Sequence, residues 1–563
     1  MTVIAANARK LQVEEQRKEQ TLAITYQRLM LVMLVFAGVI ALIALRLVYL
    51  QIFTDRVQVS VGNPLLPPRG DIVDRNGVPL ARTIDAWSIG VHPNKLLGDP
   101  DELATKLAEL MPEKSAAEYK ALLTSGKTFV YLSRRAMPEL VSAVNALGEP
   151  AIAFDREPER LYPQTALAAH ILGWTDFEGQ GVTGMEKVLN DRLGNPDTRG
   201  QGVALSIDSR VQAAVESELG AAMAKHSAEG GTGIVLDVQT GEILAMASFP
   251  TFNPNAAGKY APNSQYNRAT MGVYELGSTF KPLTVATAID AGTVTSFAKR
   301  YDAGTPLAIG RFRISDYKGK NRPLNVAEVI AYSSNIGTAR IADEMGAERL
   351  QASFRKLGFD SAPHIELAEK AKPLWPREWS RATLLTSSFG HGVAITPLHL
   401  ATAYAALVNG GIWRPSTLLK VDPSRVPEGR RVFEAETSRR VRQLLRLNVL
   451  HGGGKRGEAA GYRVGGKTGT AEKSGSGGYS KKVNVSTFAA AFPMDNPRYV
   501  VIAMLDAPKA TADTFGYTTA GWVSAPIVSK VIARTGSLLG VIPDERRDME
   551  LSEVLPLVDT SGD

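Results

Sequence analysis

The chain has 563 residues, of which 44% are hydrophobic and 21% charged, and 64 lysines and arginines against 57 aspartates and glutamates leave a net charge of +7. These values are typical of a globular chain of about three or four domains, and they exclude a mainly disordered chain and a polytopic membrane protein. The slight, dispersed positive charge gives no reason to expect a nucleic-acid partner. The chain contains no cysteine, which excludes disulfides, thiolate metal sites and cysteine nucleophiles.

Residues 29–50 form an apolar segment near the start of the chain, interrupted only by the charge of Arg46. At 1.5 Å per residue, a helix of this length spans about 33 Å, which is enough to cross a bilayer. Five basic residues precede the segment, whereas only Arg56 lies between residues 51 and 68. The positive-inside rule therefore predicts a single-pass anchor, with residues 1–28 as a cytoplasmic tail and everything after residue 50 outside the cytoplasm.

Two other interpretations of the apolar segment are weaker. A cleaved signal peptide is disfavoured because the leading polar segment is long and no A-x-A-like cleavage site follows the apolar run. A buried core helix is disfavoured because such helices usually carry apolar runs of about 10–14 residues. We therefore expect an uncleaved membrane anchor.

Residues 51–205 are predicted to form a first, loop-rich region outside the membrane. A proline-rich stretch leads into RGDIVDRNGVPLA, where the Asn-Gly pair at 76–77 between apolar residues is a strong hairpin signal. Helical patterns follow at 102–110 and 137–147. Five charged residues of this region could suggest catalysis, but we interpret them as ion pairs of a non-catalytic domain. They are Arg69, Asp71, Asp74, Arg75 and Glu186.

The pattern changes after this first region. A helix is predicted over 209–226, followed by two strands within 231–250 that a Gln-Thr-Gly turn connects. Strands and helices then mix without βαβ alternation, so no nucleotide-binding sheet is expected. Residues 473–482 predict a flexible Gly/Ser loop with basic edges. Residues 544–563 carry seven acidic residues against two arginines and predict a flexible, solvated tail.

The first motif with chemical content is the S-x-x-K pattern of Ser278 and Lys281, within YELGSTFKP. Residues three apart share a helix face, so the Ser278 Oγ and Lys281 Nζ atoms can meet. Pro282 is tolerated only near a helix start, which predicts Ser278 in the first helical turn, where the dipole favours negative charge on its oxygen. A buried lysine with a lowered pKa can accept the hydroxyl proton. Alone the pattern is weak, because about one or two chance occurrences are expected.

The second motif is Ser333-Ser334-Asn335. The hydroxyl of Ser333 could relay a proton between Lys281 and a leaving amine, while the Asn335 amide donates to a substrate carbonyl. The alternative interpretation is an ordinary helix N-cap before residues 336–342, which this motif alone would favour.

The third motif is Lys467-Thr468-Gly469-Thr470, preceded by YRVGG. The pattern predicts a strand whose small residues let a ligand backbone come close. An extended peptide could add along the edge of such a strand. Lys467, with the hydroxyls of Thr468 and Thr470, would form a pocket for a carboxylate.

The order of these motifs, S-x-x-K, S-x-N and K-T-G, resembles that of active-site serine penicillin-binding proteins and their β-lactamase relatives. The spacings of 55 residues from Ser278 to Ser333 and 134 from Ser333 to Lys467 suit a single domain. The middle motif is S-S-N where the related pattern is S-D-N. Further segments, from the anchor to about residue 535, resemble class B penicillin-binding proteins: RGDIVDRNGVPLA, RLYP, GMEKVLN, AMASFPTFNPN and FGHGVAITPLHLATAYAAL.

The resemblance implies an α+β fold class in three parts. An N-terminal membrane helix precedes a loop-rich pedestal domain of the penicillin-binding protein dimerisation type. A penicillin-binding/β-lactamase-like transpeptidase domain follows, with an antiparallel five-stranded sheet flanked by helices. The expected bounds are a cytoplasmic tail at 1–28, the membrane helix at 29–50, the pedestal at 51–205, the transpeptidase domain at 206–543 and the flexible acidic tail at 544–563.

The resemblance also implies a serine-type D-Ala-D-Ala transpeptidase of peptidoglycan, which β-lactams inhibit by mimicking D-Ala-D-Ala. Ser278 is then the nucleophile, Lys281 the base and Ser333 the third catalytic residue. The backbone N–H groups of Ser278 and Thr470 form the oxyanion hole. The substrate-binding residues are Asn335, Lys467, Thr468, Gly469 and Thr470. No metal and no organic cofactor is implied.

Residues 510–526 stand where the family supplies aromatic and backbone contacts beyond K-T-G. Phe515 and Tyr517 are candidates for an apolar wall over the acyl group, with ordinary core aromatics as an equally good interpretation. Ala520-Gly521 stands where the family usually has a Gly-Gly pair.

Within class B, the division-specific type is favoured over the elongation-specific type. Glu275-Leu276 replaces the Pro-Pro that is typical of elongation enzymes, residues 335–337 resemble the division type, and so does the chain length. The division type implies a place in the bacterial inner membrane at the septum, with the catalytic domain in the periplasm. Its expected partners are the membrane, peptidoglycan stem peptides, an FtsW-type glycosyltransferase and the divisome proteins FtsQ, FtsL, FtsB and FtsN.

Other classes fit the sequence less well. A class A synthase would need a glycosyltransferase domain, and the 155 residues from 51 to 205 match the pedestal instead. A membrane-anchored β-lactam sensor or hydrolase would share all three motifs, so hydrolysis stays open. A non-catalytic division scaffold would need none of them. No G-x-S-x-G occurs to support a Ser-His-Asp hydrolase.

Overall fold

The computed structural model describes residues 27–46, 69–198, 200–310, 312–475 and 478–558. Most of the predicted cytoplasmic tail, residues 47–50 of the predicted membrane segment and the proline-rich stretch before residue 69 lie outside the described residues. The first structural unit contains one described helix, α1 (Gln27–Arg46), whose 20 residues are long and apolar enough to cross a membrane. It begins two residues before the predicted segment.

The second unit begins with short helices around a mixed five-stranded sheet. Strand β2 pairs antiparallel with β1, β3 and β4, and β1 pairs in parallel with β5. The Asn-Gly turn connects β1 and β2, and α2 and α4 correspond to the two predicted helical patterns. The elements are β1 (Ile72–Val73), β2 (Pro79–Val91), α2 (Pro100–Leu110), α3 (Ala116–Leu123), β3 (Val130–Ala136), α4 (Pro138–Asn145), β4 (Ile152–Leu161), α5 (Ala169–Leu172), α6 (Gly184–Val188), α7 (Asn190–Gly194) and β5 (Val203–Ala204).

The rest of the chain alternates helices and strands irregularly, as predicted. Its elements are α8 (Ser209–His226), β6 (Gly230–Asp237), β7 (Ile243–Phe249), α9 (Pro262–Gln265), α10 (Lys281–Asp290), β8 (Arg300–Tyr301), β9 (Leu307–Ile309), β10 (Phe312–Ile314), β11 (Leu324–Asn325), α11 (Val326–Ala331), α12 (Asn335–Met345), α13 (Ala347–Lys356), α14 (Arg381–Ser387), α15 (Pro397–Val408), β12 (Ile412–Trp413), β13 (Arg430–Arg431), α16 (Ala435–His451), β14 (Gly465–Gly475), β15 (Gly478–Phe492), β16 (Tyr499–Asp506), α17 (Ala520–Val523) and α18 (Ala525–Thr535). Helix α8 and the β6–β7 hairpin lie where the sequence predicts them.

The main sheet of this part is antiparallel and five-stranded, in the order β14-β15-β16-β6-β7. Successive side chains of its central strands point into different cores: Ile234 and Ile502 into one, Val235 and Val501 into the other. Helices α8 and α18 cover the second face, while α15 covers the first. Because both faces are buried, the central strands are mostly apolar rather than alternating. The predicted sheet flanked by helices is confirmed.

The predicted Gly/Ser loop at 473–482 is wrong in its extent. Strands β14 and β15 continue through most of it as a hairpin, with Lys473 opposite Ser480 and Gly475 opposite Gly478. Backbone pairing needs no particular side chains, so a Gly/Ser composition does not prevent it. Lys473 also binds Glu229 and Asp506, with N–O distances of 2.8 and 2.9 Å, which holds the base of the hairpin against its neighbours.

The described part of the predicted solvated tail, up to residue 558, packs against the main core instead. Leu551, Val554 and Val558 are buried in that core. The Asp548 carboxylate binds the buried guanidinium of Arg446 at 2.6 Å, so at least one of the acids has a partner inside the fold. Three apolar residues spaced three and four apart were too few to indicate a buried face against the surrounding charges.

A buried carboxylate in the first region, Glu186 on α6, joins two arginines. The Nε atoms of Arg69 and Arg160 donate to its two oxygens, each over 2.7 Å. All three side chains are almost fully buried. The predicted structural role of Arg69 and Glu186 is confirmed, and Asp71 forms a further ion pair with Arg82 at 3.1 Å.

We expect Glu186→Ala to lower the free energy of unfolding by about 3–5 kcal/mol, because the two arginines would stay buried without their carboxylate. Urea unfolding of the chain in detergent measures this change. The matched control is Glu102→Ala, which removes an exposed carboxylate paired with Lys106 and is worth about 0.5 kcal/mol or less. Equal losses in both variants would show that the buried network is not stabilising.

The segment that contains Arg75 also joins the first region to the main domain. Asp74 accepts hydrogen bonds from the N–H and Oγ of Ser209, the first residue of α8, at 3.1 and 2.7 Å. Arg75 donates its N–H to the carbonyl of Ile207 at 2.8 Å, and its guanidinium lies 3.7 Å from Glu242. The charges of this segment are therefore structural, as the sequence predicts.

Candidate active site

The serine of the first motif lies in a tight turn just before α10. Ser278 belongs to a 3-10 turn, Gly277–Phe280, and Lys281 is the first residue of α10. The prediction that Ser278 lies in the first turn of the α-helix itself is therefore wrong by one turn. The reason is Pro282, which takes the second position of α10, where an N–H has no intrahelical acceptor.

The strand of the third motif packs directly against this turn. Gly277 has a φ of +54°, and a Cβ atom on it would lie 2.9 Å from the carbonyl oxygen of Thr470. A Cβ atom on Gly469 would lie 2.3 Å from the carbonyl oxygen of Leu276. The sequence predicts that this glycine makes room for a ligand backbone, whereas in the structure the serine turn takes up that space. The glycine thus brings Ser278 beside the strand.

Two buried lysines meet at one hydroxyl. The Nζ atom of Lys281 donates to the carbonyl of Ser333 and, over 3.1 Å, to its Oγ atom. The Nζ atom of Lys467 donates to the same Oγ over 2.9 Å and to the carbonyl of Thr468 over 3.1 Å. Both lysine side chains are fully buried. The structure therefore brings together one residue from each of the three motifs.

Burial disfavours the charged form of both lysines. Burial lowers the pKa of Lys281 well below its usual value, and the charge of Lys467 lowers this pKa further, against the opposing effect of Asp316. Burial lowers the pKa of Lys467 to about 7. Two ammonium groups that share one hydroxyl repel each other, so protonation of both lysines at once is disfavoured. The site can thus hold a neutral lysine amine next to the Ser333 hydroxyl, which both Lys281 and Lys467 contact.

Both interpretations of the second motif hold, for different residues. Ser334 is the N-cap of α12, because its Oγ accepts a hydrogen bond from the N–H of Gly337 at 2.9 Å. Ser333, just before the cap, has a φ of +57°, and its side chain points to the two lysines. Asn335 begins α12, and its amide donates to the carbonyl of Ser315 at 3.1 Å. The helix runs to Met345, three residues beyond the predicted end.

The third motif lies on an edge strand, as a peptide-binding strand requires. Among the described strands, β14 pairs only with β15. Alternate side chains of β14, those of Thr468, Thr470 and Glu472, line a cleft of about 580 Å³ that also contains Ser278, Ser333 and Asn335. Lys281, Lys467 and Gly469 lie buried beneath its surface.

Several residues lining the cleft are not singled out by the sequence. They include Tyr317, Lys318, Tyr332, Phe389, His391 and Trp522. The first two come from the loop between β10 and β11, whose only local signal is an exposed aromatic followed by two lysines. Trp522 lies next to the Ala520-Gly521 pair and could have been suggested by its size alone.

The aromatic wall differs in part from the predicted one. Tyr517 lines the cleft and stacks on Trp522, with ring centroids 5.7 Å apart and planes 13° apart. Phe515 is 75% exposed, contacts Trp522 edge-on and is absent from the described lining of the cleft. The Nζ atom of Lys318, in the loop between β10 and β11, lies 5.2 Å from the Tyr517 ring centroid. The wall is therefore formed by Tyr517 and Trp522.

Comparison with known families assigns both regions after the anchor. Residues 231–533 match the penicillin-binding protein transpeptidase domain, and residues 64–194 match the penicillin-binding protein dimerisation domain. A protein of Caulobacter vibrioides named probable peptidoglycan D,D-transpeptidase FtsI is 42% identical over 485 residues, which cover 84% of this chain and 82% of that one. The peptidoglycan D,D-transpeptidase FtsI of Escherichia coli K12 is 31% identical, with 89% and 90% covered.

A solved structure agrees with these matches. The crystal structure of penicillin binding protein 3 from Mycobacterium tuberculosis, complexed with aztreonam, aligns with a TM-score of 0.67 and 26% identity. The alignment covers 85% of this chain and 98% of that chain. Fold, motif order and sequence therefore agree that the chain belongs to the class B penicillin-binding proteins, in which a dimerisation domain precedes a transpeptidase domain.

Proposed function

We propose that this protein is a peptidoglycan D,D-transpeptidase that cross-links stem peptides at the division septum through an acyl-enzyme on Ser278. One observation carries the proposal. Lys281 and Lys467 lie beneath a cleft that runs along an edge strand, and both bind the hydroxyl of Ser333, which lines this cleft together with Ser278. The relatives named peptidoglycan D,D-transpeptidase support the same reaction.

In the acylation step, the Oγ atom of Ser278 attacks the carbonyl carbon of the penultimate D-Ala. Lys281 takes the hydroxyl proton, which it can do because its lowered pKa favours the neutral amine. The negative charge that develops on the carbonyl oxygen is held by the N–H groups of Ser278 and Thr470. Each such donor is worth about 3–4 kcal/mol in comparable acyl transfer.

The proton must then reach the nitrogen of the leaving D-Ala. Ser333 bridges Lys281 and Lys467 over 3.1 and 2.9 Å, so its hydroxyl can pass a proton from the lysine to that nitrogen. The C–N bond breaks and terminal D-Ala departs. In the second step an amine of a neighbouring stem peptide attacks the ester, its proton returns by the same path, and Ser278 is regenerated with a new peptide bond.

Substrate binding follows from the position of the third motif. An extended stem peptide would add to the open edge of β14 by main-chain hydrogen bonds. Lys467, Thr468 and Thr470 would hold its terminal carboxylate, Gly469 keeps the strand close to the nucleophile, and Asn335 would donate to a substrate amide from the other wall. β-Lactams would enter in the same pose and stop at the acyl stage.

We expect Lys467→Ala to slow acylation by a β-lactam acid about 10- to 150-fold more than acylation by its methyl ester, since a charged hydrogen bond is worth about 1.5–3 kcal/mol. The ratio of the two rate constants cancels any change in nucleophile activation. In the wild type, the rate constant for the acid divided by that for the ester should fall as pH rises through about 7. The reason is that Lys467 loses the proton that makes it a partner for the carboxylate. A ratio that is unchanged in the variant would contradict carboxylate binding by Lys467.

The anchor and the division role belong to the same proposal. Helix α1 would span the inner membrane once, with the N-terminus in the cytoplasm and the catalytic domain in the periplasm. Partners would be an FtsW-type glycosyltransferase and FtsQ, FtsL, FtsB and FtsN. The alternative is elongation of the lateral wall.

Depletion of the protein should give long cells that fail to septate, with a fluorescent fusion at midcell. Rounded cells with a signal along the side wall would favour the elongation function instead.

Transfer to an amine is the step that separates this function from a β-lactam sensor or hydrolase. The full-length chain in detergent would be incubated with a D-Ala-D-Ala pentapeptide and a D-amino acid acceptor. Mass spectrometry of the products should show the peptide carrying the acceptor in place of its terminal D-Ala. A product shortened by one D-Ala, with no acceptor attached at any acceptor concentration, would support the hydrolase instead.

A further inference from the structure

A carboxylate from outside the three motifs holds the second motif. Asp316 lies in the loop between β10 and β11, 18 residues before Ser334 in the chain. One of its oxygens accepts a hydrogen bond from the Ser334 Oγ at 2.6 Å, and the other accepts one from the N–H of Ile336 at 3.0 Å. Its neighbour Ser315 accepts the amide hydrogen bond of Asn335 at 3.1 Å. The loop therefore contacts every residue from 334 to 336.

These contacts act on the backbone that presents Ser333. A φ of +57° is uncommon for any residue other than glycine, and such a conformation persists only where the surroundings hold it. On one side Ser333 is held by the hydrogen bonds from Lys281 and Lys467. On the other side the chain is held by Asp316, through Ser334 and Ile336. Release of the second contact would let the Ser333 hydroxyl leave the bridge between the lysines.

Asp316 also contributes charge. Among the described residues, the charged groups that act on Lys281 are Lys467 of β14, which disfavours its ammonium, and Asp316, which favours it. In the described part of the chain, the only acid that acts on the Lys281 charge thus comes from this loop, since the second motif itself carries a serine where the related S-D-N pattern carries an aspartate.

We infer that Asp316 is a positioning residue of the transpeptidase, which fixes Ser333 between the two lysines and sets the charge balance around them from a separate loop. The inference rests on the proposed function, because it assigns Asp316 a part in the acylation of Ser278. Asp316 would thus support the three motifs without contacting the substrate itself.

The test measures the second-order rate constant for acylation by a fluorescent penicillin against pH, on the full-length chain in detergent. For Asp316→Asn we expect the plateau to fall by roughly 10- to 100-fold, since a small displacement of a catalytic group has effects of this size. The acid limb of the profile is the pH range in which the rate falls as pH decreases, because Lys281 becomes protonated. We expect this limb to move to lower pH, because the loss of a negative charge favours the neutral form of Lys281. For Ser334→Ala the plateau should fall while the acid limb stays in place.

The matched control is Asp343→Asn, which removes a carboxylate from α12 that pairs with Arg381 at the surface and should leave both plateau and limb unchanged. The amount of adduct at completion measures the fraction of folded protein, whereas the rate constant measures the reactivity of the folded molecules. A loss of adduct with wild-type rate constant and limb would mean a merely structural role and would overturn the inference. If Asp316→Asn does not fold, a wild-type plateau in Ser334→Ala would overturn it equally.

The outcome also separates this inference from the proposed function. A wild-type chain that acquires no penicillin at Ser278 would remove the proposed function. A wild-type chain that is labelled at Ser278, together with an Asp316→Asn variant that reacts equally fast at every pH, would remove only the role of Asp316.

Discussion

Ser278→Ala should abolish covalent labelling by penicillin and all transpeptidation, because it removes the hydroxyl that lines the cleft from the turn just before α10. Loss of the nucleophile in a comparable serine acyl-enzyme costs about 10⁶-fold in kcat. The substitution removes one small, half-buried group, so stability should change by less than about 1 kcal/mol. Fluorescent penicillin labelling followed by gel electrophoresis measures the first effect, and thermal unfolding measures the second.

The matched control is Ser315→Ala, which removes a hydroxyl from the exposed loop near the cleft while leaving the carbonyl that Asn335 uses. This variant should label like the wild type. A Ser278→Ala protein that unfolds at the wild-type temperature and still acquires the adduct would move the nucleophile to another residue.

Lys281→Arg should slow acylation by roughly 10³- to 10⁴-fold, which is the upper range for loss of a general base. Arginine keeps its proton at any physiological pH and therefore cannot accept one from Ser278. In the wild type the rate should fall as pH decreases, because protonation of Lys281 removes the base, and its pKa lies well below the usual lysine value. In the variant this acid limb should be missing. Stopped-flow labelling across the pH range measures both effects.

Lys299→Arg provides the matched control, since this lysine pairs with Glu344 at the surface and belongs to none of the three motifs. It should leave the rate and the pH profile unchanged. If Lys281→Arg reacted at a similar rate to the wild type with the same acid limb, another group would have to be the base.

Much of the site could be predicted because its chemistry is concentrated in short patterns. Ser278 with Lys281, the Ser333–Asn335 triplet and Lys467–Thr470 are each local in sequence, and their order indicated that one domain brings them together. The structure joins Lys281, Ser333 and Lys467 by hydrogen bonds. Helix α8 begins and ends at the predicted residues, and the Asp208 side chain caps its first turn.

The remaining parts depend on contacts between residues far apart in the chain, which local patterns do not encode. Asp316 resembles any exposed loop aspartate until the fold brings it to Ser334. Gly469 seemed to make room for a ligand, whereas the space above it belongs to Leu276 of the serine turn. The C-terminal segment looked solvated because the core that buries Leu551 and Val554 is built by residues far earlier in the chain, from Ile72 to Met504.

The central claim is that Ser278 forms the acyl-enzyme, and the most direct measurement is the mass of the modified peptide. The wild-type chain would be incubated with a penicillin, digested and analysed by tandem mass spectrometry. We predict one adduct, with the full mass of the intact penicillin as expected for ring opening without a leaving group, on the Ser278 side chain. An adduct on Ser333, Ser334 or any other residue, or no adduct at all on folded protein, would contradict the claim.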